Sequence, residues 1–322
     1  MKPTSARKWA LISFLTLAVL VPSWVMAQPA YGRLVVFGTS LSDPGNAFAL
    51  TGQESTPPYA TLDMFLVPNA PYSMGGHHFS NGATWVEQFA LMPGIAGNAL
   101  PAFHGSNTNA SNYAVGGARA RNDGINVNLP DQVNAYMRDS GSAASPDALY
   151  VIEFGGNDIR DALTAFTTGA DGGAIITVAL AAINDNIRAL YGAGARKFLV
   201  LNAPDLRLVP AIRILDSLFP GAGHVAEYFS LLFNEGLDTL LASEAALPNI
   251  QITKLDLYQK LNKLSDNPAA FGLREVTTAC VKPNLPPFKC DTPDDFLFWD
   301  GIHPTKVVHA ILAKEAASVL SH

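Results

Sequence analysis

Short apolar runs alternate along the chain with longer stretches of helical period. The runs RLVVF (33–37), ALYVIEF (148–154), RKFLVLN (196–202) and NIQITKL (249–255) have the length, β-branched content and flanking turn residues of buried strands. Elsewhere the period lengthens, and residues 82–91, about 173–191, about 224–246 and 304–320 read as helices. In the third of these, Val225, Tyr228, Phe229, Leu232 and Phe233 fall at i, i+3, i+4, i+7 and i+8 and make one apolar face. Strands separated by helices predict an α/β protein with a parallel sheet covered on both faces. Functional groups then belong at the carboxyl ends of the strands, where loops converge. Neither a repeat of fixed period nor a low-complexity linker interrupts the pattern, so residues 31–320 are expected to form one domain.

The first residues follow a different pattern. Lys2, Arg7 and Lys8 precede the apolar segment WALISFLTLAVLV, and PSWVMA then puts Val25 and Ala27 at the small-residue positions of a signal-peptidase site. Residues 1–27 are therefore expected to be a cleaved signal peptide and the mature protein secreted or periplasmic; an uncleaved anchor is the competing reading. Removing them changes the formal charge from -6 to -9. Nucleic acid is then excluded as a partner, because neutralising phosphates needs clustered Lys and Arg. Cys280 and Cys290 are the only cysteines, and in an oxidising compartment such a pair closes. The loop-entropy model gives that bridge roughly 2.5–3 kcal/mol. Two further good metal ligands are not found near the cysteines, nor beside Asp300 and His303, so no metal is expected, and the serine chemistry considered below needs no organic cofactor.

Candidate chemistry starts where the first strand ends, in VVFGTSLSD (35–43). A turn at Gly38 sets Ser40 at the strand's carboxyl end, where a helix or helical turn is expected to begin; there a hydroxyl can act as a nucleophile and a free backbone N–H can bind an oxyanion. Alternatively, Ser40 or Ser42 only caps that turn. A serine nucleophile requires a base. FWDGIHPT (298–305) offers Asp300 and His303, a spacing that lets the carboxylate hold one ring nitrogen while the other faces a serine. The competing role for this pair is an exposed cap before the last helix. His77 and His78 lack an adjacent carboxylate and are expected to line the site at most. Oxyanion donors are sought in NYAVGGARA (112–120), at Gly116 and Gly117, and in VIEFGGNDI (151–159), at Asn157; taken alone, glycine pairs at strand ends are more often plain turns, and Asn157 or Asp158 could cap the next helix.

Taken in order, Gly-Thr-Ser-Leu-Ser, Asn-x-Ala-x-Gly-Gly-Ala, Gly-Gly-Asn-Asp and Asp-x-x-His resemble the four blocks of the GDSL or SGNH hydrolase family over residues 33–320. HFSNGATWVEQFA (78–90) is similar to its lipase-like branch, which includes plant enzymes and secreted phospholipase relatives. The resemblance implies a flavodoxin-like three-layer α/β/α sandwich. It also implies Ser40 as nucleophile, His303 as base, Asp300 as its orienting acid, and an oxyanion hole of the Ser40 and Gly117 N–H groups with the Asn157 side chain. One position departs from the pattern: the family's Asp is Thr39 here, which puts in question the polar support beneath the nucleophile turn. No Gly-x-Ser-x-Gly elbow occurs, which argues against the ordinary α/β-hydrolase fold.

The expected reaction is hydrolysis of carboxylic esters through an acyl-enzyme, with lipids or phospholipids as substrates and a transient contact with a membrane surface. Acyl-chain walls or a lid are sought in residues 51–76, with Pro57, Pro58, Tyr59, Met64, Phe65, Tyr72 and Met74, and in LVPAIRILDSLF (208–219); the competing reading is that both are packed crossover segments. The Cys280–Cys290 loop is expected to shape the mouth of the site. An acyltransferase, a carbohydrate deacetylase of the same fold and a non-catalytic secreted binding protein remain as alternatives.

Overall fold

A computed structural model describes residues 31–105 and 109–321; the signal segment expected over residues 1–27 lies outside them. Strands β1 (Arg33–Gly38), β2 (Ala148–Glu153), β3 (Lys197–Leu201) and β4 (Gln251–Leu255) form a parallel sheet in that order. Each of the four apolar runs is thus a strand, with ends shifted by one or two residues.

A further segment extends the sheet beyond β1. Val36 N–H donates to Ser111 O (3.0 Å), Tyr113 N–H donates to Val36 O (2.8 Å) and Val115 N–H donates to Gly38 O (3.2 Å), all in the parallel sense. Counting residues 111–115 as the second rung in the chain gives the spatial order 2-1-3-4-5. That is the flavodoxin-like order, with its switch point at β1, and a crevice opens beyond the carboxyl end of that strand.

The helices are α1 (Asn46–Thr51), α2 (Trp85–Leu91), α3 (Leu129–Asp139), α4 (Gly156–Thr167), α5 (Gly172–Ala193), α6 (Pro210–Leu218), α7 (Ala222–Glu244), α8 (Leu257–Asp266) and α9 (Lys306–Leu320). Side-chain alternation along the strands divides them into layers. Leu34, Val36, Leu149, Val151, Leu199 and Leu201 pack against α2 and α9 through Trp85, Phe89, Leu312 and Ala316. Val35, Phe37, Tyr150, Ile152, Phe198 and Val200 meet α3, α4, α5 and α7 on the other face. At about 1.5–3 kcal/mol per buried large apolar side chain, these two interfaces supply the main driving force for the three-layer sandwich.

Periodicity located α2, α5, α7 and α9 but not α3, α4, α6 or α8. The start of α3 carries local signals all the same, because Asn128 and Asp131 form a capping box around Pro130. In α7 the buried stripe is Ala226, Phe229, Phe233, Leu237 and Leu241, whereas Tyr228 is 59% exposed. The face is chosen by its neighbours: Phe229 packs so close over Gly172 of α5 that a Cβ there would lie 2.5 Å from its ring.

Beside the sandwich, β5 (Glu275–Ala279) pairs in parallel with β6 (Phe296–Phe298). The Cys280–Cys290 disulfide is formed and packs with Tyr59, Tyr72, Val281 and Trp299. Cys280 N–H and Val281 N–H donate to Phe298 O (3.1 Å) and Trp299 O (2.8 Å). The bridge therefore braces the backbone leading into Asp300 from behind and does not shape the mouth, whose walls come from other segments.

Candidate active site

Beyond Gly38 the chain makes a tight turn, closed by Ser42 N–H donating to Thr39 O (3.1 Å), and helix begins only at Asn46. Asp43, two residues before the N-cap Gly45, satisfies the leading N–H groups: Oδ1 accepts from Gly45 N–H (2.8 Å) and Asn46 N–H (2.6 Å), and Oδ2 from Ala47 N–H (3.1 Å). Ser40 is thereby left free of capping and stands in a pocket with Asn157, Arg160, Asn202 and His303.

The loop from β6 into α9 carries the partner groups. Ser40 Oγ lies 2.8 Å from His303 Nε2. His303 Nδ1 lies 2.7 Å from Asp300 Oδ2 and 2.9 Å from Oδ1. An ionised carboxylate accepts only, so Nδ1 carries the proton and Nε2 accepts the serine hydroxyl. Asp300 is fully buried, and three more donors hold it: Ile302 N–H (2.9 Å), His303 N–H (2.8 Å) and Tyr72 O–H (2.9 Å). Burial and the Asp300 charge together drive the Tyr72 phenol well above its ordinary pKa, so it stays a donor.

Of the other candidate donors, Asn157 lines the same pocket, whereas Gly116 and Gly117 are not among its lining residues. Asn157 sits in the first turn of α4, and its Nδ2 donates to Ala118 O (2.8 Å), fastening it to the residue after Gly117. Gly116 and Gly117 have different duties. Gly116 N–H donates to Asp43 Oδ2 (2.8 Å), and a Cβ there would lie 2.1 Å from the Phe79 ring. Gly117 adopts φ 82°, a left-handed conformation suited to glycine, and its N–H has no partner among the described residues.

Sequence reasoning missed the support under the turn. Thr39 donates its N–H (2.9 Å) and hydroxyl (3.0 Å) to the buried carboxyl of Glu153 at the end of β2, and Ser42 Oγ donates to it as well (3.1 Å). The polar support questioned at Thr39 is therefore present and anchored on Glu153. Burial pushes Glu153 up to about 7, opposed by those hydrogen bonds, and pushes Asp43 up to about 6. An acid inside the apolar run ALYVIEF was the available signal; Tyr72, 228 residues from Asp300, had none.

Several residues sought at the site lie elsewhere. His78 Nε2 has a carboxylate after all, Glu87 at 2.9 Å, because α2 turns that side chain back; His77 Nε2 reaches Glu54 (2.7 Å). Neither lines the Ser40 pocket. Tyr59 is fully buried core and Tyr72, equally buried, serves Asp300 and not an acyl-chain wall, whereas Phe65 lines a neighbouring cavity together with Ala211, Ile212 and Leu215 from the 208–219 segment.

Residues 34–316 match the model of the GDSL-like Lipase/Acylhydrolase family. A GDSL esterase/lipase of Arabidopsis thaliana is 29% identical over 334 residues, covering 90% of both chains. A second from the same plant is 27% identical, covering 96% of each. A phosphatidylcholine-sterol acyltransferase of Aeromonas hydrophila is 26% identical, covering 98% of this chain and 97% of its own. A match over most of its length thus joins a serine–histidine–aspartate cluster at the switch point of a flavodoxin-like sheet: the chain belongs to the GDSL-like lipase/acylhydrolase family, and its activity is of the esterase, lipase or acyltransferase class.

Proposed function

We propose that the protein is an exported serine ester hydrolase, acting through one domain over residues 31–320 on lipid esters, phospholipids included. The observation that carries this reading is the continuous hydrogen-bond line from Ser40 Oγ through His303 (2.8 Å) to Asp300 (2.7 Å). Ser40 Oγ attacks the acyl carbonyl carbon as His303 Nε2 takes the hydroxyl proton, and Asp300 stabilises the imidazolium. The carbonyl oxygen becomes an oxyanion, which accepts hydrogen bonds from the Ser40 and Gly117 N–H groups and the Asn157 amide. Collapse of this intermediate breaks the ester C–O bond, and His303 gives its proton to the departing alkoxide. Water then attacks the acyl-serine, losing a proton to His303, and the acid leaves as the proton returns to Ser40.

Lipid esters are favoured by apolar surface near the site. Met64, Leu218 and Phe219 are 67%, 51% and 64% exposed, and they neighbour in sequence the cavity-lining Phe65 and Leu215. Exposed apolar side chains of this kind suit contact with a lipid surface. Export is supported by the basic, apolar and small-residue pattern of residues 1–27. The match to an acyltransferase along nearly its whole length favours a second outcome, in which an alcohol replaces water at the acyl-serine. The test is a p-nitrophenyl ester series of rising chain length, run beside phospholipids, with and without an added alcohol. Wild type is expected to hydrolyse the esters and Ser40→Ala to lose turnover; a Ser40→Ala variant with full turnover refutes the mechanism.

A further inference from the structure

The pocket around Ser40 adjoins two recesses of opposite character. One shares Leu41, Pro204 and Ile302 with it and continues between Val209, Leu257 and Leu312, apolar throughout. The other is a cavity of about 410 Å³ reaching Asp63, Phe65, Arg119, Asp161 and Leu215, and the wall it shares with the Ser40 pocket is Arg160. Arg160 follows Asn157 on α4 by three residues, so the two side chains lie on one helix face.

The neighbouring arginines are committed. Arg119 donates Nε and Nη2 to Asp161 (3.0 Å each), and Arg121 Nη2 pairs with the same carboxylate. Asp63 Oδ1 accepts from Phe65 N–H and Val67 N–H (2.9 Å each) within its own loop. Among the described residues the Arg160 guanidinium makes neither a hydrogen bond nor an ion pair, and Asp63, Asp161 and Asp300 act on it only through space. Burial draws its pKa down, yet a guanidinium remains charged. A half-buried, unpaired cation is costly to hold without an anionic partner. Its planar fork matches the oxygens of a phosphate, and the cavity beyond has room for the group bearing it.

We propose that Arg160 is a specificity-determining residue that receives a phosphate group carried on the alcohol portion of the ester. This rests on Ser40 being the nucleophile, and it adds the class of leaving group: a phosphorylated glycerol rather than a neutral alcohol.

The test compares monomeric dihexanoylglycerol 3-phosphate with dihexanoylglycerol on the full chain. The ratio of kcat/KM, phosphate-bearing over neutral, is expected to fall roughly 10- to 100-fold in Arg160→Gln, the loss of one charge-assisted contact. Arg160→Lys, which keeps the charge without the fork, should recover part of the ratio. Glycerol 3-phosphate should inhibit wild-type hydrolysis of dihexanoylglycerol competitively and lose potency in Arg160→Gln; this inhibition in wild type serves as the readout if that variant does not fold. A ratio within threefold of wild type, or no inhibition of wild type by glycerol 3-phosphate, overturns the assignment. Wild type failing on both esters refutes the hydrolase reading itself, whereas turnover of both with an unmoved ratio refutes Arg160 alone.

Discussion

Replacing Asp300 by asparagine keeps the side chain's shape and inverts part of its hydrogen bonding. Asp300 Oδ1 accepts from the backbone N–H groups of Ile302 and His303, so an asparagine is oriented with its oxygen there. The amide nitrogen then replaces Oδ2, a donor facing two donors: His303 Nδ1 at 2.7 Å and Tyr72 O–H at 2.9 Å. The imidazole escapes the clash by moving its proton to Nε2, after which it no longer accepts from Ser40. Loss of the correct tautomer costs on the order of 10⁴-fold in kcat, about 5 kcal/mol of barrier at 1.36 kcal/mol per tenfold. The Tyr72 oxygen can accept from that amide, but the phenol proton then loses its buried acceptor, which adds a stability penalty of about 1–3 kcal/mol. The assay is p-nitrophenyl butyrate hydrolysis at 25 °C, with thermal unfolding followed by circular dichroism to establish that the variant is folded. A folded Asp300→Asn protein retaining more than a tenth of wild-type kcat would refute the orienting role.

Two further outcomes follow from the site. Asn157→Ala should lower kcat on the order of 10²- to 10³-fold with little change in KM, since one oxyanion donor is lost; unchanged turnover makes Asn157 only the tie to Ala118. Glu153, raised by burial from 4.5 to about 7, holds its proton in the folded chain while the unfolded chain releases it, so its stabilising contribution is complete below pH 4.5 and lost as pH rises through 7. Wild-type Tm should therefore fall relative to Glu153→Gln between about pH 5 and about pH 8, and parallel profiles would contradict a protonated Glu153.

Most of the scaffold was legible because it follows local rules. Strand length, alternation and glycine punctuation are written in consecutive residues, so β1 to β4 and the long helices appear in the sequence nearly where they fold. Ser40, Gly117, Asn157, Asp300 and His303 were legible by resemblance, as four separated blocks in order, and the fold brings Ser40, Asn157 and His303 into one pocket with Asp300 behind the histidine. Helices α3, α4, α6 and α8 were not found, because runs of 9 to 12 residues carry only about three turns of periodic signal and take their stability from the layer they cover.

The order of strands and helices, the candidate nucleophile with its partners, and the cysteine pair could be read from consecutive residues and ordered motifs. It took the closing of the layers to put Glu153 under Thr39, Tyr72 among the donors around Asp300, Gly116 on Asp43 while Gly117 stays free, and Arg160 between the Ser40 pocket and the cavity beside it. The physical reason is that these are pairings of buried polar groups across 73 to 228 residues of chain. Their partners are chosen by which groups lose water together when the layers close, a selection that no local spacing records.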